Sequence, residues 1–90
     1  MRKLMLIITV HDKVAGTWAP PSVAHNSDAA VRDFRTAISR KDTIIGSHPE
    51  DFELFAIGEW IVPFEPNNFP SLSVFDNFVF LENGQSHEKV

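Results

Sequence analysis

Apolar positions in this chain fall into strand-like runs and one run of helical spacing. Lys3 to Val10 is β-branched and aliphatic on both alternating sets of positions, which predicts a strand covered on both faces at the centre of a sheet. The polar stretch His11 to Gly16 reads as a hairpin turn, and Thr17-Trp18-Ala19 returns as a second strand. Pro20-Pro21 offers no N–H to a ladder, so this strand is an edge or stops there. Asn26-Ser27-Asp28 supplies an N-cap, and the spacing predicts a helix over Asp28 to Arg40. Its core face is Ala30, Val31, Phe34, Ala37 and Ile38, within about 120° of arc. Asp28, Arg32, Arg35, Thr36 and Ser39 face outward, with Asp28 placed to pair with Arg32 and with Arg40 and Lys41 closing the last turn.

Asp42 to Gly46 reads as a linker. In His48-Pro49-Glu50-Asp51-Phe52, Pro49 suits the first position of a short helical turn, and His48 is placed to cap it. Phe52 to Ile61 then reads as a second central strand. Simple alternation points Phe52, Leu54, Ala56 and Trp60 one way and Phe55, Ile57 and Ile61 the other. Val62 to Pro70 is extended or loop. Ser73 to Leu81 reads as one strand or two short ones, and Glu82 to Val90 as a polar tail. The expectation is an α+β fold: a small antiparallel β-sheet in β-β-α-β-β order with one amphipathic helix packed on one face. It forms a single domain over residues 1–81 with a tail at 82–90. One helix cannot cover both faces, so the face bearing Met5, Ile7, Phe55 and Ile57 needs the C-terminal segment or a second copy of the chain. A homodimer is therefore expected.

The ninety residues suffice for one domain, and 43% hydrophobic with 22% charged residues is ordinary for a globule. The net charge of −4 counts against a nonspecific nucleic-acid coater, though not against a local basic patch. No cysteine is present, which removes disulfides and thiolate metal sites. The N-terminal apolar run is too short and too soon broken for a signal peptide, and nothing approaches a membrane span.

No catalytic constellation emerges. The four histidines lack metal-ligand spacing, and His11-Asp12 reads as a hairpin polar pair. There is no nucleophile elbow or phosphate loop, and the absence of tyrosine removes a tyrosine-linked nickase. Glu53 and Glu59 would share a strand face about 20 Å apart, too far to act on one atom. The reading is a protein without enzymatic activity, metal or cofactor. The candidate binding residues are Arg32, Arg35, Arg40 and Lys41 on and after the helix, Lys13 on the hairpin turn, and Trp18 as a stacking platform. Trp60 and Phe55 rank next. Asp28, Asp33 and Asp42 interleave with the cations, which also fits a solvated, ion-paired helix face.

Three blocks carry a family resemblance. HPEDFELFAIGEW resembles the segment HPEDF-x-L-x-x-IGE of the small nonstructural proteins of gokushoviruses, single-stranded-DNA phages of the Microviridae. VHDKVAGTWAPP is similar to their YD-x-KAG-x-Y-x-PP, and HNSDAAVRDFRTAIS to N-x-x-x-A-x-R-x-F-x-x-A. The blocks occur in the same order over about residues 4 to 60. The chain departs from the pattern at Trp60-Ile61-Val62-Pro63, where an acidic hairpin turn is usual, and the segment from Phe64 to Phe80 matches nothing in it. The resemblance implies a phage protein made in the host bacterial cytoplasm and absent from the virion. It also implies a part in single-stranded DNA binding or viral DNA replication and packaging, beside phage or host replication proteins. The rival expectation is a protein–protein interaction or regulatory module binding phage or host proteins. Neither expectation involves a membrane.

Overall fold

A computed structural model describes residues 2–84 of the chain. Five strands, β1 (Arg2–Asp12), β2 (Thr17–Trp18), β3 (Ser22–Ala24), β4 (Phe52–Pro63) and β5 (Ser71–Asn83), form one antiparallel sheet. Between β3 and β4 lie α1 (Ser27–Ser39), α2 (Ile44–Ser47) and a 3-10 turn at Pro49–Asp51. The central pair is β1 and β4, as their two-sided apolar runs require, with β2 and β5 outside them.

The simple β-β-α-β-β order is corrected in two places. The chain does not leave the sheet at Pro20-Pro21 but rejoins β1 as β3, with Ala24 opposite Leu6 and Val23 opposite Ile7. Thus β2 and β3 are two halves of one edge interrupted by prolines. The interruption is spanned by Ala19, whose N–H donates to the Val10 carbonyl (2.9 Å) and whose carbonyl accepts from the Thr9 hydroxyl (2.6 Å). The segment read as a linker also contains α2, capped by the Thr43 hydroxyl accepting from Gly46 N–H.

Helix α1 is capped by the Asn26 side chain, which accepts from Ala29 N–H (2.8 Å). It ends at Ser39, so Arg40 and Lys41 lie beyond the last turn rather than closing it. Ala30, Phe34 and Ile38 are buried against Leu54 and Ala24, with Ile8, Val10, Phe52 and Leu81 packed around them. Pro49 is fully buried at the first position of its turn. His48 precedes it, but its ring meets the Ser47 hydroxyl rather than capping the turn.

Strand β4 carries one extra residue. Ile8 pairs with Ala56 while Ile7 pairs with Gly58, leaving Ile57 between them. Simple alternation therefore fails beyond Ala56. Trp60 pairs with Met5, and so shares the side of Ile7, Thr9 and Phe55 rather than that of Leu54. Glu59 moves to the opposite side from Glu53 for the same reason. A Cβ on Gly58 would lie 2.3 Å from the Ser73 carbonyl oxygen, so the bulge needs glycine where β5 crosses it.

The C-terminal apolar segment does not fold over the face left open by α1. It adds β5 beside β4 at the edge of the sheet, reaching Asn83, two residues into the segment read as tail. Residues 85–90 of that tail lie outside the described residues. Four residues of β5, Phe75 to Phe78, face the single Ile57, so β5 also bends sharply here. The result is a curled half-barrel with α1 on its outer side.

Leu54, 1% exposed, is the pivot between helix and sheet. Leu54→Ala is expected to cost about 2–5 kcal/mol in urea unfolding. Leu72→Ala, on the open side, is expected to cost less than about 0.5 kcal/mol.

Candidate functional site

The side of the sheet opposite α1 gathers aromatic rings from four strands. The β1–β2 hairpin places Trp18 directly opposite His11. Its turn is held by the Asp12 carboxylate, which accepts from Val14 and Ala15 N–H, and by Gly16 at φ +70°. The His11 ring stacks on Trp18 with centroids 4.3 Å apart, and its Nδ1 lies 3.5 Å from Glu53 Oε1. Phe55 stands opposite Thr9 on one side and Phe80 on the other. The Trp18–Phe55 centroid distance is 5.3 Å and the Phe55–Phe80 distance is 5.7 Å.

The ring contact that defines the shape is Trp18 with Phe78, edge to face at 5.7 Å. These residues belong to β2 and β5, separated by β1 and β4. Neighbouring strands lie about 4.8 Å apart, so in a flat sheet the two backbones would be about 14 Å apart. The contact forms because the sheet curls and the bulged stretch of β5 leans inward. Aromatic contacts of this kind contribute about 0.5–1.5 kcal/mol each beyond area burial. Even so, Trp18 remains 46% exposed, Phe78 45% and Phe80 51%. Further along the same face, Trp60 lies between Met5 and an exposed Leu72. The face is apolar, concave and open, and its half-covered rings can receive a flat partner.

The candidate binding residues separate into two groups. Trp18 belongs to this face, and Lys13 is exposed on the turn leading into its strand. Arg32, Arg35, Arg40 and Lys41 lie on or after α1, on the other side of the sheet. Arg32 meets Asp33 at 3.9 Å, and Arg35 binds Glu82 through Nε (3.1 Å) and Nη2 (3.0 Å). An open cleft of about 450 Å³ lies beside Arg32 and Arg35, but Asp28 and Glu82 line it too, so its charges balance. The aromatic face and the helix cations are therefore distinct surfaces.

Sequence reasoning singled out Trp18 and ranked Trp60 and Phe55 next, but missed His11 as a ring of the face, along with Phe78 and Phe80. In sequence the phenylalanines are indistinguishable from core residues, and only the curl of the sheet tells them apart. Among the described residues, no three histidines, aspartates or glutamates cluster to hold a metal ion, and no helix is long and apolar enough to cross a membrane.

The family described as Phage ORF5 protein matches residues 5–62, well over half of the chain. Neither a curated protein nor a solved structure matches.

Phe78→Ala removes the contact that bridges the two edges of the sheet. In a Trp60→Phe background, it is expected to red-shift Trp18 fluorescence while lowering stability by only about 1 kcal/mol. An unchanged spectrum would mean the two rings are not in contact in solution.

Proposed function

We propose that this chain, which belongs to the Phage ORF5 protein family, is a non-enzymatic accessory of single-stranded-DNA phages of the gokushovirus type. It acts in viral DNA replication or packaging, in the host cytoplasm and outside the virion. It binds single-stranded DNA weakly, with unpaired bases on the aromatic face. The observation that carries this reading is the group of half-open rings of Trp18, Phe78 and Phe80 packed on one concave surface. Every base has a π-face, so such a surface holds a single strand without reading its sequence.

Lys13 supplies a phosphate contact beside Trp18. The helix cations Arg32, Arg35, Arg40 and Lys41 provide attraction at longer range, damped by the interleaved aspartates and the net charge of −4. Weak binding follows from this balance, since phosphate contacts normally dominate affinity for nucleic acids.

The second reading is a protein-interaction module. It is supported by the same net acidity and by the exposed Leu72, Val74 and Phe80, which would equally suit an apolar partner surface.

Titration with a short oligothymidine at low and physiological salt separates the two. On the DNA reading, Trp18 fluorescence is quenched saturably and Trp18→Ala weakens binding about tenfold, as expected for about 1–3 kcal/mol of stacking. Arg32→Glu combined with Arg35→Glu should lower affinity less and flatten its salt dependence. Absence of binding at both salts, confirmed by mobility shift, would leave the protein-interaction reading.

A further inference from the structure

Stacking on the rings is blind to sequence, but the polar row that borders them is not. At the hairpin end of the concave face, Trp18, His11, Glu53 and Asn83 stand opposite one another in turn, on β2, β1, β4 and β5. The next row along is Thr9, Phe55 and Phe80. Glu53 and Phe55 therefore share a face of β4, and Glu53 is diagonal to Phe80 across the β4–β5 pair. Diagonal neighbours lie about 7–8 Å apart, still within reach of aromatic and long side chains. A flat ligand lying on Phe80, which is 51% exposed, thus presents an edge to Glu53.

The Glu53 side chain is 22% exposed, and its Oε1 lies 3.5 Å from His11 Nδ1, at the long limit of a hydrogen bond. Among the described residues no other hydrogen bond or ion pair holds this carboxylate. The His11 ring is itself held against Trp18. Glu53 is a sheltered acceptor with capacity left over, beside rings that are half open. An ionised carboxylate only accepts, and it can take two N–H donors side by side. On the Watson–Crick edge, which is how unpaired bases are read, guanine alone offers such a pair, at N1–H and the N2 amino group. Adenine and cytosine each show one amino group beside a ring acceptor. Thymine shows N3–H between two carbonyl oxygens, which a carboxylate repels.

We propose that Glu53 makes the aromatic face prefer guanine, with the base on Phe55 and Phe80 and its Watson–Crick edge on the carboxylate. The inference rests on the single-stranded-DNA reading of this face. The charges orient the strand in the same sense. Exposed Lys13 on the β1–β2 turn draws phosphate towards the hairpin, while Glu53 repels it from β4, so the base and not the backbone meets the carboxylate. Partial burial makes this charge-assisted contact stronger than it would be in open water.

Competition at low salt tests the preference. A labelled oligothymidine bound to the full chain is displaced by unlabelled strands of equal length, alternating dT–dG, dT–dA or dT–deoxyinosine. The dT–dG strand should compete about tenfold better than the dT–dA strand, which offers a purine face without the paired donors. Deoxyinosine keeps N1–H but lacks the amino group, and should forfeit most of the gain. Glu53→Gln, which exchanges one acceptor oxygen for a donor, should bring the dG-to-dA ratio to about one. Equal competition by the dG and dA strands, or a preference unchanged in Glu53→Gln, would overturn the proposal and leave weak DNA binding standing. If no strand binds, the proposal falls together with the reading it rests on.

Discussion

Strands β1 and β4 pair along almost their whole length, and one extra residue in that pairing, Ile57, sets the form of the molecule. A bulge increases local twist and bends its strand. Here it returns Trp60 to the side of Met5, lets β5 cross at Gly58, and bends the sheet towards the side away from α1. Without it, the two edges would stand too far apart for Trp18 to reach Phe78. Regular pairing would also swing Trp60 to the helix side, breaking up the aromatic face.

The two sides of the sheet solve the same packing problem differently. On one side α1 lays Ala30, Phe34 and Ile38 over Leu54, and water is excluded from a conventional core. Among the described residues, no helix covers the other side. The rings there pack on one another, His11 stacked on Trp18 and the others tilted or edge to face, and Trp18, Phe78 and Phe80 keep about half their surface in contact with water. His11 covers one face of Trp18, and the tilted and edge-on contacts hold the remaining rings in place while Trp18, Phe78 and Phe80 each stay about half exposed, so the surface left open is already ordered for a flat ligand. The helix side offers the reverse: cations are present, but Asp33 and Glu82 engage Arg32 and Arg35.

Much of this architecture was legible in the residues. The two-sided apolar runs of β1 and β4 identified the central pair, and the spacing of Ala30, Phe34 and Ile38 identified the helix face. Pro49 marked its turn correctly. The errors have physical causes. A bulge is invisible to alternation, so Trp60, Ile61 and Glu59 were given the wrong sides. Pro20-Pro21 interrupts an edge strand without ending it, because the hydroxyl of Thr9 and the amide of Ala19 carry the connection across the gap. Of the site, Trp18 was legible from its edge position. Phe78 and Phe80 were not, because their exposure follows from where β5 docks, and a strand rich in phenylalanine reads as core.

Proton NMR of the indole and phenyl side chains tests the curl of the sheet and the proposed binding by its ringed concave side in one sample. In the free protein, Trp18 and Phe78 ring protons should show a mutual nuclear Overhauser effect. On titration with oligothymidine, the Trp18, Phe55 and Phe80 ring signals should shift together while the α1 core signals of Phe34 stay in place. Absence of the Trp18–Phe78 effect, or shifts confined to α1 and its arginines, would contradict the account.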